Sequence, residues 1–194
     1  MKASAAALFI LLSSAGCSAE PGKTGSPDEA VRVQAALPAR PDGPVLDQAN
    51  ILPVATEAAL DARLRRLSSE TRDVLVVVSV DSLGGETIED YATALFNDWG
   101  IGDAKTDRGL LVLVAPNERR VRVAVGCGLE SAVTDERAAE IIEQHFLPRF
   151  REGDYAGGVE SGVEALIARL TLPRPANDPG PHSESCRAEA RKTA

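Results

Sequence analysis

The sequence predicts an α/β fold, a three-layer sandwich in which a small mixed β-sheet has helices on both faces. Residues 73–80 form a β-branched run that is typical of a strand buried on both faces. An unbroken apolar run at 110–115 is followed by a turn at 116–118 and by alternating residues at 120–126, which predicts a hairpin. A helical pattern between the first two strands predicts that they run parallel, and the hairpin adds an antiparallel strand.

Apolar residues at helical spacing predict four helices around this sheet. The helices are expected from Pro53 to Ser68, from Thr87 to Trp99, from Thr134 to Pro148 and from Asp154 to Leu170. Pro53 suits a first helical turn, and Thr87 and Asp90 match a capping box. Pro148 is expected to end the third helix because proline lacks a backbone N–H.

This topology places acidic residues at the two ends of the sheet. One end receives Asp107, Glu130 and Asp135, and the other receives Asp47, Asp81 and Asp154. Carboxylate oxygens are the ligands that Ca²⁺ and Mg²⁺ prefer, so the first set is a predicted metal site. The alternative is structural, with Asp107 as a turn residue, Asp135 as a charge at a helix start and Glu130 solvated.

The first 17 residues have the pattern of an export signal. A short basic start and an apolar stretch precede S-A-G-C, which resembles a bacterial lipobox and predicts lipidation of Cys17. Ser18 then favours the outer membrane over the inner, and the protein is expected in the cell envelope, facing the periplasm and bound to the membrane through its lipid. A plain signal peptide cleaved near Ala19 is the alternative.

The remaining chain divides by composition into linker, domain and tail. Residues 18–44 are rich in Pro, Gly and Ala and predict a flexible linker, 45–172 form the domain, and 173–194 are a Pro-rich, polar tail. Cys127 and Cys186 would face an oxidising compartment after export. They either pair, which would hold the tail across the acidic end, or remain unpaired thiols.

Charge and motifs exclude several classes of function. The net charge is −8 and no face is basic, so nucleic acid is not an expected partner. The glycine patterns at Gly100 and Gly126 both break G-x-G-x-x-G, and neither a Walker loop nor G-x-S-x-G occurs. The chain has two histidines, which makes a zinc site or a Ser-His-Asp triad improbable. Carboxylate chemistry with a hard divalent cation remains.

Several short motifs together resemble the TPM domain family of thylakoid lumen, photosystem II-associated and bacterial envelope proteins. They are D-Q-A-N-I-L (47–52), S-L-G-G-E-T-I-E-D-Y-A (82–92), F-N-D-W-G-I-G (96–102), D-R-G-L-L-V-L-V-A (107–115), G-C-G-L-E (126–130), T-D (134–135) and F-R-E-G-D-Y-A-G-G-V (150–159). The resemblance covers about 45–170 and implies a small α/β sandwich. Ca²⁺ or Mg²⁺ binding and weak acid phosphatase activity are ascribed to some members, and others resemble assembly or repair factors. The chain departs from the family at Cys127, where Tyr is frequent, and at Arg108, where Asn is common.

Two functional hypotheses follow from these observations. The favoured one is a lipid-anchored accessory or assembly/repair module, with a divalent cation held by the predicted acidic site and an envelope protein complex as partner. The alternative is a metal-dependent acid phosphatase in which one of the same carboxylates activates water. Whether the protein is an enzyme stays open at this point. The arginines at 119, 120 and 122 are either a solvated strand face or a partner-binding patch.

Overall fold

A four-stranded mixed sheet with helices on both faces forms the protein between residues 37 and 173, the part of the chain that this computed structural model describes. The strands are β1 (Val45–Asp47), β2 (Val74–Ser79), β3 (Gly109–Ala115) and β4 (Arg120–Val125). The helices are α1 (Val54–Thr71), α2 (Ile88–Asp98), α3 (Asp135–Ile141), α4 (Leu147–Arg151) and α5 (Tyr155–Leu170). The predicted fold class is confirmed.

The strands lie in the order β1-β2-β3-β4, and their directions follow the prediction. β1, β2 and β3 are parallel, and β4 is antiparallel to β3. Val74 pairs with Gly109, and Leu110 pairs with Val125. The starts of β2 and β3 and the end of β4 therefore meet at one end of the sheet, where the loops around Asp107 lie.

Two apolar layers cover the sheet. On one face, Val77 and Val112 belong to a core that includes residues of α1, α3 and α5. On the other, Val78 and Leu113 pack in a core with α2. Every residue of β3 is buried because both of its faces are covered, as its continuous apolar sequence predicts.

Side-chain caps begin three of the helices as predicted. The Thr87 hydroxyl accepts from the Asp90 N–H at 3.1 Å, and Thr134 accepts from the Arg137 N–H at 3.3 Å. Asp154 accepts from the N–H of Gly157 at 2.9 Å. These bonds satisfy donors that have no partner inside the helix. α1 differs from the prediction, since it begins after Pro53, which has an extended ψ of 144°.

The prediction that Pro148 ends its helix is wrong. After α3 the chain forms one wide π turn, Ile142–Phe146, and then continues directly into α4 with Pro148 in its first turn. The N–H of Leu147 donates to the carbonyl of Ile142, five residues back. This shift in register places Pro148 where a missing N–H needs no helical partner.

The folded chain begins earlier than the sequence predicts. Residues 37–44, which composition assigns to the linker, contact the domain. The buried indole of Trp99 donates to the carbonyl of Pro38 at 2.9 Å, and the N–H of Val77 donates to Pro44 at 2.9 Å. The Arg40 guanidinium donates to the carbonyl of Trp99. A buried indole N–H needs a partner, so this segment completes the core.

The predicted signal peptide 1–17, the lipidation site Cys17, linker residues 18–36 and tail residues 174–194 all lie outside the described residues. Between residues 37 and 173, no helix combines the length and the apolar character needed to cross a bilayer.

Candidate functional site

Two loops approach each other closely at the predicted acidic end of the sheet. Asp107 has a left-handed φ of 52°, and its N–H donates to the carbonyl of Asp103 at 2.7 Å. Its own carbonyl accepts from the N–H of Gly128 at 3.1 Å. A Cβ at Gly128 would lie 1.9 Å from the carbonyl oxygen of Thr106, so only glycine permits this approach.

Asp107 and Asp103 line one small cavity together with the amide of Asn97. The cavity volume is about 160 Å³. The Asp103 carboxylate accepts from the backbone N–H groups of Lys105 and Thr106, at 2.9 and 3.2 Å, and these bonds lower its pKa. In the described part of the chain, no hydrogen bond or ion pair involves the carboxylate of Asp107. This cavity therefore presents one fixed anion and one carboxylate that is free to bind.

Glu130 and Asp135 do not line this cavity. Glu130 is half-buried after a 3₁₀ turn, and Asp135 is exposed in the first turn of α3. Over residues 37–173, no group of three or more His, Cys, Asp or Glu side chains could hold a metal ion. The set of Asp107, Glu130 and Asp135 stays a prediction, while the structure brings Asp107 together with Asp103 and Asn97.

Asp103 is not among the residues that the sequence predicts for the metal site, although a local signal is present. The residue follows Gly102, which has a positive φ of 108°, and its side chain bonds to the backbone two and three residues ahead. Gly-Asp followed by small and polar residues is typical of an Asx-turn, in which the aspartate side chain accepts from backbone N–H groups further along the chain. Such a turn holds its carboxylate at a defined place in the loop.

Arg108 follows Asp107 directly in the chain, but its side chain is bound by a different aspartate. The Arg108 guanidinium donates to Asp73 at 2.6 Å and to the carbonyl of Thr71 at 3.1 Å. Asp73 is fully buried, whereas Arg108 is about one third exposed. The pair joins the start of β3 to the start of β2. Asp73 appears in the sequence only as the first residue of a strand pattern, with no sign of a distant partner.

Cys127 lies at the same end of the sheet and is disulfide-bonded. The alternative of an unpaired thiol at this position is therefore wrong. The other two cysteines of the chain, Cys17 and Cys186, lie outside the described residues.

At the opposite end of the sheet, two of the three acidic residues hold local structure. Asp47 accepts from the N–H groups of Ile51 and Leu52, at 3.1 and 2.7 Å, and from the hydroxyl of Ser79. Asp154 caps α5 and pairs with Arg149 at 2.9 Å, and both contacts lower its pKa. These carboxylates stabilise the loop before α1 and the start of α5.

A larger cavity, of about 640 Å³, lies beside the turn between β3 and β4. Three arginines and three large apolar or aromatic side chains line it: Arg119, Arg120, Arg151, Leu147, Phe150 and Tyr155. Two of these arginines belong to the trio at 119, 120 and 122 that the sequence interprets as a solvated face or a partner patch. Arg151 does not belong to this trio, because it lies at the end of α4, far from the hairpin turn along the chain.

Comparison with known proteins gives one family and several similar structures. The TPM domain matches residues 45–169. No curated protein sequence matches the chain. A solution NMR structure of the N-terminal domain of a P. gingivalis protein is 36% identical, with a TM-score of 0.62, covering 66% of this chain and 81% of that one.

Two further solution structures resemble the fold at lower identity. The N-terminal domain of the cg2496 protein from Corynebacterium glutamicum is 17% identical, with a TM-score of 0.55 over 74% of this chain and 93% of that one. The BA42 protein from the psychrophilic bacterium Bizionia argentinensis is 20% identical, with a TM-score of 0.54 over 66% and 88%. At these identities, the similarity concerns the fold.

Proposed function

Since the chain belongs to the TPM domain family, we propose that it is a lipid-anchored accessory or assembly/repair module of the bacterial envelope whose acidic loop binds Ca²⁺ or Mg²⁺. The observation that carries this proposal is the cavity shared by Asp103 and Asp107. Among the described residues that line it, oxygen-bearing side chains occur without a cationic, hydroxyl, thiol or imidazole group. Side chains of this kind are better suited to coordinating a cation than to nucleophilic attack on a substrate.

The residues around this cavity fit a hard cation. Ca²⁺ takes about six to eight oxygen ligands, and Mg²⁺ takes six while keeping several waters. Asp103 remains ionised because two backbone N–H groups stabilise its charge, and Asp107 and Asn97 add further oxygens. Backbone carbonyls and water would supply the remaining ligands. A bound ion would neutralise the two carboxylates and hold this loop in place.

A cation at this loop should stabilise the fold measurably. At a hundredfold excess over Kd, binding to the native state adds about 3 kcal/mol to the free energy of unfolding. For a domain of this size, that raises the melting temperature by several degrees. The measurement is thermal unfolding of the purified protein with millimolar Ca²⁺, with Mg²⁺ and with chelator, at constant ionic strength.

Matched variants locate the ion. Asp107→Asn should abolish the shift while preserving the backbone, because asparagine tolerates the left-handed φ of this position. Asp81→Asn, an exposed aspartate at the other end of the sheet, should leave the shift unchanged. Identical melting curves with the cations and with chelator would remove the metal site from the proposal.

Phosphoester hydrolysis is the second candidate function, and the same two carboxylates favour it. One would bind the ion and the other would orient or activate water. Phosphoryl transfer also needs cationic groups or metal ions around the phosphoryl oxygens, and the side chains that line this cavity include none that is cationic. Hydrolysis of p-nitrophenyl phosphate with Mg²⁺ or Ca²⁺ separates the candidates. Activity that Asp107→Asn abolishes without unfolding would favour the enzyme, and no activity would favour the module.

Lipidation of Cys17 is supported by the export pattern that ends in S-A-G-C. We expect the wild-type protein in the membrane fraction of its host and the Cys17→Ser variant in the soluble fraction, because the variant offers no thiol for acylation. Fractionation followed by immunoblotting measures the distribution. Equal distribution of the two forms would show that the anchor is not a lipid on this cysteine.

A further inference from the structure

We propose that the cavity beside the β3–β4 turn binds an acidic segment of a partner protein, one that carries an aromatic or aliphatic side chain among its carboxylates. We call this cavity the arginine groove and define it by the lining residues Arg119, Arg120, Arg151, Leu147, Phe150 and Tyr155. It lies at the opposite end of the hairpin from the loop that contains Asp103 and Asp107. Its binding therefore does not depend on a metal at that loop.

Separate elements bring the three cations together. Arg119 ends the hairpin turn with a left-handed φ of 55°, and Arg120 begins β4. Arg151 is the last residue of α4. All three side chains are exposed around one volume of about 640 Å³. The fold thus concentrates positive charge in a protein whose net charge is −8.

The groove arginines have no internal counter-ion in the part of the chain that is described. The ion pairs seen there use Arg65, Arg108, Arg137 and Arg149 instead. Two nearby carboxylates also have other partners. Glu118 accepts from the N–H of Leu83 at 3.0 Å, and Asp154 is held by Arg149. Three uncompensated cations around one cavity favour an anionic ligand.

The aromatic side chains that line the groove favour a ligand that also has an apolar group. The rings of Phe150 and Tyr155 lie 5.0 Å apart at 47°, and Phe150 packs edge-on against the buried Phe146 at 5.9 Å. Arginine and aromatic residues are the types that contribute most at protein–protein interfaces. A ligand with carboxylates alone would leave these rings exposed to water. A peptide that also has an apolar side chain would cover them.

These features favour a protein segment over an anionic membrane surface. The exposed large hydrophobic residues of the described chain are Val54 and Leu172, and neither lines the groove. The concave shape can enclose one or two side chains, whereas a membrane presents a plane.

The test is peptide binding to the full-length protein, purified in detergent. The probe is a fluorescein-labelled octapeptide of alternating glutamate and phenylalanine, and the control probe has glutamine in place of glutamate. Fluorescence anisotropy should show binding of the acidic peptide that is at least about tenfold tighter than that of the control, and that weakens with added salt. Equal binding of the two probes would overturn the proposal.

Charge-reversal variants then locate the site. Arg120→Glu combined with Arg151→Glu should weaken binding of the acidic peptide at least about tenfold. Arg63→Glu combined with Arg66→Glu makes the same charge change on the exposed face of α1 and should alter Kd less than about twofold. Melting curves should be the same for both double variants and the wild type, because these four side chains are exposed. If both double variants weakened peptide binding equally, the effect would be one of net charge, and the assignment of the binding site to the groove would be overturned.

If the arginine groove binds a different kind of ligand, the same experiments give different results. Displacement of the peptide by equimolar inorganic phosphate would indicate a simple anion site and contradict the peptide proposal. Binding to phosphatidylglycerol vesicles that is lost in the groove variant, without peptide binding, would assign the groove to a membrane. A change of oligomeric state in the groove variant by light scattering, again without peptide binding, would assign it to a second copy of the chain.

Discussion

Arg108→Met should lower the free energy of unfolding by about 3 kcal/mol, because it removes the guanidinium that pairs with the buried carboxylate of Asp73. Asp73 is fully buried, and the guanidinium of Arg108 donates to it at 2.6 Å. Removing one member of a buried ion pair costs far more than removing one member of an exposed pair. The expected loss is a large fraction of the stability of an ordinary domain.

The reciprocal variant should be milder, and this asymmetry tests the argument. Asp73→Asn leaves a cation whose side chain is about one third exposed, so water can solvate the guanidinium. We expect a loss of about 1–2 kcal/mol, and a double variant whose loss is smaller than the sum of the single losses. Urea unfolding monitored by circular dichroism measures the three values.

A surface pair provides the control for this cycle. Arg137→Met breaks the ion pair of Arg137 with Glu140, in which both side chains are about half exposed. Exposed pairs contribute about 0–1 kcal/mol. If Arg108→Met cost no more than this control, the buried pair would contribute little to holding the starts of β2 and β3 together.

Phe146→Ala should lower the free energy of unfolding by about 3–5 kcal/mol. Phe146 is fully buried at the end of the π turn, where α3 gives way to α4. Its ring lies directly against Gly162 of α5, so that a Cβ there would be 2.0 Å from the ring. Removing the ring leaves a cavity between these helices and removes its contact with Gly162.

The effect of Gly162→Ala should change sign with the residue at 146. Alone, the added methyl group collides with the ring, and we expect a cost of about 1–3 kcal/mol despite the better helix propensity of alanine. In the Phe146→Ala background, the methyl group enters the vacated volume and should stabilise the protein. Urea unfolding of the two single variants and the double variant measures this coupling. Additive losses would show that Phe146 and Gly162 do not share a contact in solution.

Features that depend on residues close together in the chain could be predicted from the sequence. The apolar run at 110–115 predicted a doubly covered strand, and Thr87, Thr134 and Asp154 predicted helix starts that the structure confirms. The strand directions could also be predicted, because two strands joined by a helix usually run parallel and two strands joined by a short turn run antiparallel. These signals are local, since each bond or pattern spans a few residues.

Features that depend on contacts between distant segments could not be predicted from the sequence and are seen in the folded chain. Asp73 and Arg108 are 35 residues apart, and nothing around either residue indicates the other. The chain continues as a helix past Pro148 after one π turn, and Phe146, the last residue of that turn, packs against a glycine of another helix. Packing also unites Arg120 with Arg151 around one groove. A pattern along the chain reports which face of an element is buried, but which side chains meet across that face depends on how the elements pack.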